Sequence, residues 1–225
     1  MSLRDQRVQR SILDRQRMFG GRIWDVMRES FLLSDSQQPL TRDFIENPGA
    51  VAVVALDEQH RVLLLRQYRH PVRSMLWELP AGLLDIDGED YHTAAARELA
   101  EEADLRAEDW RVLVDLYNSP GSSSEALRIY LATGLHEVPE AERHQRTEEE
   151  SEIVLDWQPL EAAVAAVLSG RIHNGTTIAG ILALAAVQQH GGPESLRPAD
   201  APWPEHAQIT ARPVETEPAR TDTEW

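Results

Sequence analysis

The sequence predicts a mixed α/β domain with a short β extension on its N-terminal side. Three observations predict it. Residues 50–56, AVAVVAL, are a continuous apolar run, the pattern of a strand buried on both faces. Residues 91–103 read as a helix, with alanines at 94, 95, 96 and 100 and Leu99 as strong helix formers. Strand-like runs at 61–69, 110–117, 126–132 and 153–157 share the chain with helical spacing at 160–168 and 176–189.

In order, the 225 residues divide into four stretches. Residues 1–20 are polar and arginine-rich, and read as a solvated lead, helical or mobile. They lack the roughly 7–15-residue apolar run of a secretory signal. Residues 21–47 carry short alternating segments (Ile23, Trp24 and Val26; 31–33; Phe44 and Ile45), which read as strands with a turn at 34–39.

Residues 48–190 are the main domain. The run at 50–56 and the strand at 61–69, RVLLLRQYR, are expected to form a hairpin across the turn 57–60. Two further strands flank 118–125, a loop rich in turn formers. Residues 137–152 are an acidic loop of about 16 residues, long enough to be either functional or disordered. The helices at 160–168 and 176–189 each have a glycine near the end. Residues 191–225, acidic and rich in proline, read as a tail with little core of its own, on which Trp203 and Trp225 are candidate docking points.

The net charge of −16 argues against a nucleic-acid partner, which calls for a basic stripe. An anionic substrate would need metal ions and a few arginines to reverse the sign locally. There is no cysteine, hence neither a disulfide framework nor a thiolate metal site, and a cytoplasmic location is expected. No stretch of about 18 apolar residues is present, so no membrane span is expected.

The chemistry concentrates in residues 82–105, GLLDIDGEDYHTAAARELAEEADL. Asp90 is the candidate N-cap of the helix. Glu98, Glu101 and Glu102 stand at i, i+3 and i+4, so they share one face. Like charges at that spacing destabilise a helix by about 0.2–0.5 kcal/mol per pair. A divalent cation offsets the repulsion, and hard cations prefer oxygen ligands. A solvated acidic face is the plainer reading of the three glutamates taken alone.

With Gly82, Glu89 and Arg97 included, the stretch resembles the Nudix box: Gly, five residues, Glu, seven residues, then Arg-Glu-apolar-any-Glu-Glu-any-Gly-apolar. It departs twice. Six residues separate Gly82 from Glu89, and Asp104 stands in place of the last glycine. Neither change removes a carboxylate. Further matches point to the ADP-ribose pyrophosphatase branch in its actinobacterial form. They are Gln67-Tyr68-Arg69, the lead-in Glu78-Leu-Pro-Ala-Gly82, and Pro120, about fifteen residues past the box.

The resemblance implies a Nudix fold, an α/β/α sandwich around a mixed sheet, with the N-terminal strands packing against a second subunit in a homodimer. It implies Mg²⁺ or Mn²⁺ held by Glu98, Glu102 and the Ala81 carbonyl. Glu101 is a third ligand or acts through water. Arg97 is expected to pair with Glu101 one turn on and to orient the site, and Glu89 to fix the loop. Arg69 faces the substrate phosphates or serves a surface ion pair. Glu78 hydrogen-bonds adenine or pairs across the dimer. Trp24 stacks on adenine from the partner subunit or is a buried dimer tryptophan. The general base is expected from the acidic loop, at Glu149 or Glu150.

The implied reaction is water attack on the diphosphate of ADP-ribose, giving AMP and ribose 5-phosphate. The alternatives are another nucleoside diphosphate derivative, such as a different ADP-sugar or a dinucleotide, or a non-catalytic ligand-binding module. Modules of that last kind tend to lose the box carboxylates, which this chain keeps.

Overall fold

The structure, a computed structural model, describes residues 3–34, 38–146 and 151–210. The chain falls into two compact units. The first comprises Met1–Pro48, Ser119–Glu125 and Trp203–Trp225, and the second Gly49–Asn118 and Ala126–Pro202.

The first unit is built on an antiparallel sheet in the order β1 (Ile12–Gly20), β2 (Asp25–Phe31), β3 (Leu40–Glu46). The lead segment is therefore neither helical nor a mobile stretch over these residues but a strand. Its signal is charge at period two. Arg15 lies opposite Glu29 and pairs with it and with Glu46, and Arg17 pairs with Asp25 at 2.6 Å. Opposite charges across a ladder stabilise it as apolar pairs do. The turn-rich loop is tied to the last strand, because Ile45 donates to the Ser122 carbonyl and accepts from Ser124 N–H, both at 2.9 Å. Part of the expected tail belongs here too. Trp203 is buried and stacks on His206, whose ring nitrogen lies 2.7 Å from the Pro48 carbonyl. Trp225 lies outside the described residues.

The second unit holds β4 (Ala50–Ala55), β5 (Arg61–Arg69), β6 (Ser74–Glu78), β7 (Ala81–Leu83), α1 (Tyr91–Ala103), β8 (Leu105–Tyr117), β9 (Ala126–Glu137), β10 (Val154–Pro159), α2 (Leu160–Leu168), α3 (Gly175–Gln189) and β11 (Arg197–Pro198). One sheet runs β11-β8-β9-β4-β7 and is mixed, since β4 and β9 are parallel. A second, antiparallel sheet runs β10-β5-β6.

Alternation along β4 separates two cores. Ala52, Val54 and Leu56 join Leu160, Ala163, Ile181 and Leu184 of α2 and α3. Val51, Val53 and Ala55 join Ala94, Ala95, Leu99 and Ala103 of α1. This is the expected sandwich, with helices on both faces of a strand that reads as apolar throughout. The expected hairpin does not form. β4 and β5 share only the bridge Leu56 to Val62 and then enter different sheets, each flanked on both edges by other strands.

Residues up to 202 also extend the domain past its expected end. β11 pairs with β8, and the buried Arg128 donates to Asp115 at 2.8 and 3.0 Å, to the Ala201 carbonyl at 2.7 Å and to the Pro202 carbonyl at 3.3 Å. Burial alone would lower the Arg128 pKa, but Asp115 and Tyr130 raise it above the ordinary value, so the guanidinium stays charged. A buried cation with its donors satisfied fixes the backbone that supplies its acceptors. Among the described residues, no helix is long and apolar enough to cross a membrane.

Candidate active site

Helix α1 starts where a cap residue and a run of helix formers meet. The Asp90 carboxylate accepts from the N–H groups of His92 at 3.1 Å and Thr93 at 3.0 Å, and from the Thr93 hydroxyl at 2.5 Å. The Thr93 hydroxyl, then the two N–H groups, hold the Asp90 carboxyl below its ordinary range. The alanines and Leu99 bury one side of the helix in the sheet.

Two of the three glutamates go under with them. Glu98 is 8% exposed and Glu102 6%. Glu102 Oε2 accepts the Ala81 N–H at 2.8 Å. The Glu98 carboxylate occupies the space above Gly82, where an added Cβ would stand 2.0 Å from its Cδ and Oε1. Gly82 is thus required by close approach rather than by a left-handed backbone.

Arg97 binds this group from outside. Its Nε and Nη2 form a fork on Glu89, each bond 3.0 Å long, and its Nη1 reaches Glu98 at 2.6 Å. The bond to Glu101 is the longest at 3.4 Å. The expected one-turn pair with Glu101 is thus formed, and the two-bond fork on Glu89, the geometry that arginine favours, stands beside it. Hydrogen bonding from Glu89, then the charge of Glu98, pushes the Arg97 pKa well above its ordinary value, so Arg97 is a fixed cation.

These residues fit a hard divalent cation. Among the described residues, no three acidic or histidine side chains stand together as a cage by themselves. Mg²⁺ seldom uses such a cage: it keeps several waters and takes one or two carboxylates. Two buried carboxylates one turn apart on α1, laid against the strand that carries Ala81, are that kind of donor set.

Arg69 and Glu78 lie on the paired strands β5 and β6, four positions apart in register since Glu78 stands opposite Leu65, and the long arginine side chain spans the gap. Arg69 Nη2 lies 2.7 Å from Glu78 Oε2 and Nε lies 3.1 and 3.2 Å from the two oxygens, with Glu78 buried. Arg69, expected either at the substrate phosphates or in a surface ion pair, is ion-paired here with Glu78, itself expected at adenine or across the dimer. Trp24 belongs to the first unit, between β1 and β2, and is 41% exposed, so it is not buried within the described chain. Glu149 and Glu150 lie outside the described residues.

Sequence reasoning missed two groups. Thr177 is fully buried, and its hydroxyl accepts the Leu79 N–H at 3.2 Å and donates to Asn174 at 3.0 Å. It thereby pins the strand lead-in ahead of Ala81. The readable signal was Asn174, an N-cap three residues before it. Arg146 donates to the Glu101 carbonyl at 3.0 Å and to Asp104 at 2.5 Å. Its signal was the aspartate standing where the box has glycine.

Helices on both faces of a mixed sheet, with a carboxylate helix laid over a glycine strand, define the class. The NUDIX domain profile matches residues 46–178, more than half of the chain, and the chain belongs to that family of hydrolases. It is 48% identical over 164 residues to the ADP-ribose pyrophosphatase of Mycobacterium tuberculosis, covering 73% of this chain and 77% of that one. It is 30% identical over 166 residues to the methanol dehydrogenase activator of Bacillus methanolicus, covering 74% and 87%. A crystal structure of an ADP compounds hydrolase superposes with a TM-score of 0.67 at 20% identity, over 84% of this chain and 99% of that one; it shows the shared fold.

Proposed function

We propose that this chain hydrolyses the diphosphate of ADP-ribose to AMP and ribose 5-phosphate with Mg²⁺ or Mn²⁺. The observation that carries the chemistry is the buried pair Glu98 and Glu102 laid against Ala81 and Gly82. The substrate follows the Mycobacterium tuberculosis relative at 48% identity.

Glu98, Glu102 and the Ala81 carbonyl would hold the cation, with Glu101 as a third ligand or joined through water. A bound divalent ion polarises phosphoryl oxygens and lowers the pKa of water. Arg97 keeps Glu98 oriented through their 2.6 Å bond, and Glu89 keeps Arg97 in place. Arg69 neutralises phosphate charge and exchanges its bonds to Glu78 for bonds to substrate. Glu78 then takes a donor of the adenine or of a partner subunit. Glu149 or Glu150 removes the proton of the attacking water. Oxygen from water joins one phosphorus, the bridging P–O bond breaks, and the proton ends on the leaving phosphate. Trp24 stacks on adenine from the partner in a cytoplasmic homodimer.

The Arg69–Glu78 pair favours a second reading, in which the organic groups are recognised elsewhere and the substrate is another ADP-sugar or a dinucleotide. A substrate panel with product identification separates the two. Glu98→Gln tests the chemistry itself. The change keeps the shape and removes the charge, so kcat falls by at least about 10–100-fold while the chain still folds. Near-normal turnover in that variant would remove the metal reading.

A further inference from the structure

Helix α1 ends at a residue where the box pattern has glycine. Asp104 takes φ 54° and ψ 34°, a left-handed conformation that costs a residue with a β-carbon roughly 1–2 kcal/mol and glycine little. The chain retains it by using every polar group of that residue's backbone and one of its side-chain oxygens. The Asp104 N–H closes on the Ala100 carbonyl at 3.2 Å, and its carbonyl accepts the Val138 N–H at 2.8 Å. Its Oδ2 accepts Arg146 Nη2 at 2.5 Å.

Residues 138–146 therefore leave Asp104 at Val138, which is buried, and return to it at Arg146. The first part of the acidic loop is anchored rather than loose. Arg146 does more than pair with a carboxylate. Its Nε donates to the Glu101 carbonyl at 3.0 Å, one of the last-turn carbonyls that a helix leaves without a partner of its own. The guanidinium thus stands at the negative end of the helix dipole. The same turn carries Glu101 and Glu102, and Glu102 is fastened on its other side to the Ala81 N–H. A glycine at position 104 would cap the helix alone but would offer Arg146 no carboxylate.

We infer that Arg146 is a positioning residue for the metal-binding end of α1, and that Asp104 and Arg146 together replace the glycine cap. The inference rests on the metal-assisted reading above. Arg146 holds the turn from which the carboxylates project, and the planar fork of arginine is required because two acceptors are gripped at once.

The test uses the full chain as wild type, R146A, R146K, D104G and R146A/D104G. Mn²⁺ binding is measured by titration calorimetry without substrate. Amide hydrogen exchange over residues 99–104 is measured in metal-free protein. The Mg²⁺ concentration giving half-maximal ADP-ribose hydrolysis is measured alongside. R146A weakens Mn²⁺ binding about tenfold, the effect typical of losing an orienting partner. It also speeds exchange at those amides and raises the half-saturating Mg²⁺. R146K stays nearer R146A than wild type. D104G stays within about threefold of wild type, and adding R146A there costs less than about threefold, because coupled residues are not additive. Wild-type Mn²⁺ affinity in R146A, even with a lowered Tm, overturns the inference. An undiminished R146A effect in the D104G background does the same. A wild-type chain that neither binds Mn²⁺ nor hydrolyses ADP-ribose overturns the metal reading, and this inference with it.

Discussion

Gly82→Ala adds one carbon at the point where the strand and the carboxylate helix meet. The new Cβ would stand 2.0 Å from Cδ and Oε1 of Glu98 and 2.6 Å from Oε2, where ordinary contact begins near 3.4 Å, a deficit of about 1.4 Å. The carboxylate has little room to yield. It is 8% exposed and held by Arg97 at 2.6 Å. Either Glu98 swings away or β7 and α1 separate. Overpacking of this kind costs about 1–3 kcal/mol of stability. The functional cost is larger, because moving a group at the reacting centre by about 1 Å can cost 10²-fold in rate. The expected result is a kcat lowered by about 10² or more with a Tm drop of about 2–12 °C. Gly121→Ala is the control, since nothing lies within 4 Å of a Cβ there, and both kcat and Tm should match wild type. Saturation kinetics on ADP-ribose in excess Mg²⁺, with calorimetric Tm, give both quantities. A G82A enzyme with wild-type kcat would refute the reasoning, because it would mean that the position of Glu98 does not matter to turnover.

Thr177→Val keeps the shape but removes the acceptor of the buried Leu79 N–H, so urea unfolding should show a loss of about 1–3 kcal/mol, most of it regained in Thr177→Ser. Asp90→Ala should cost about 1 kcal/mol by removing the cap of α1. That contribution also depends on pH. The Asp90 carboxyl is held below its ordinary value of 3.8, so its stabilising share is full above about pH 4 and is lost as pH falls through the lower folded value. The difference in stability between wild type and D90A should accordingly be constant from neutral pH down to about 5 and shrink below about 4.

What could be read ahead of the structure was whatever lies within one element. The limits of α1, its cap and its three carboxylates follow from spacing along a single helix, and the reading over 91–103 matches the helix found. Strand pairing was not legible in the same way, because periodicity assigns faces and says nothing of neighbours. β4 takes β9 as a parallel partner from far along the chain, and a local hairpin was the natural but mistaken expectation. β1 was missed because its regularity is electrostatic, in Arg15 and Arg17, rather than apolar. The Arg69–Glu78 pair needed the β5–β6 register, and Arg146 is 42 residues from the aspartate it binds.

The extra residue between Gly82 and Glu89 shows why a motif's spacing can vary while its chemistry holds. Gly82 is positioned by contact with Glu98, and Glu89 by the two-bond fork of Arg97. Both anchors belong to α1, and neither depends on the path between them. The path between them includes the exposed residues 85–88, where Glu89 N–H closes on the Ile86 carbonyl at 3.2 Å and Gly88 turns the chain at φ 79° with nothing within 4 Å of where a Cβ would stand. A solvated turn lengthens by one residue at small entropic cost, since closure entropy grows only slowly with loop length. What a carboxylate helix of this kind needs is therefore the pair of contacts. The count of residues between them is free to vary so long as both are made.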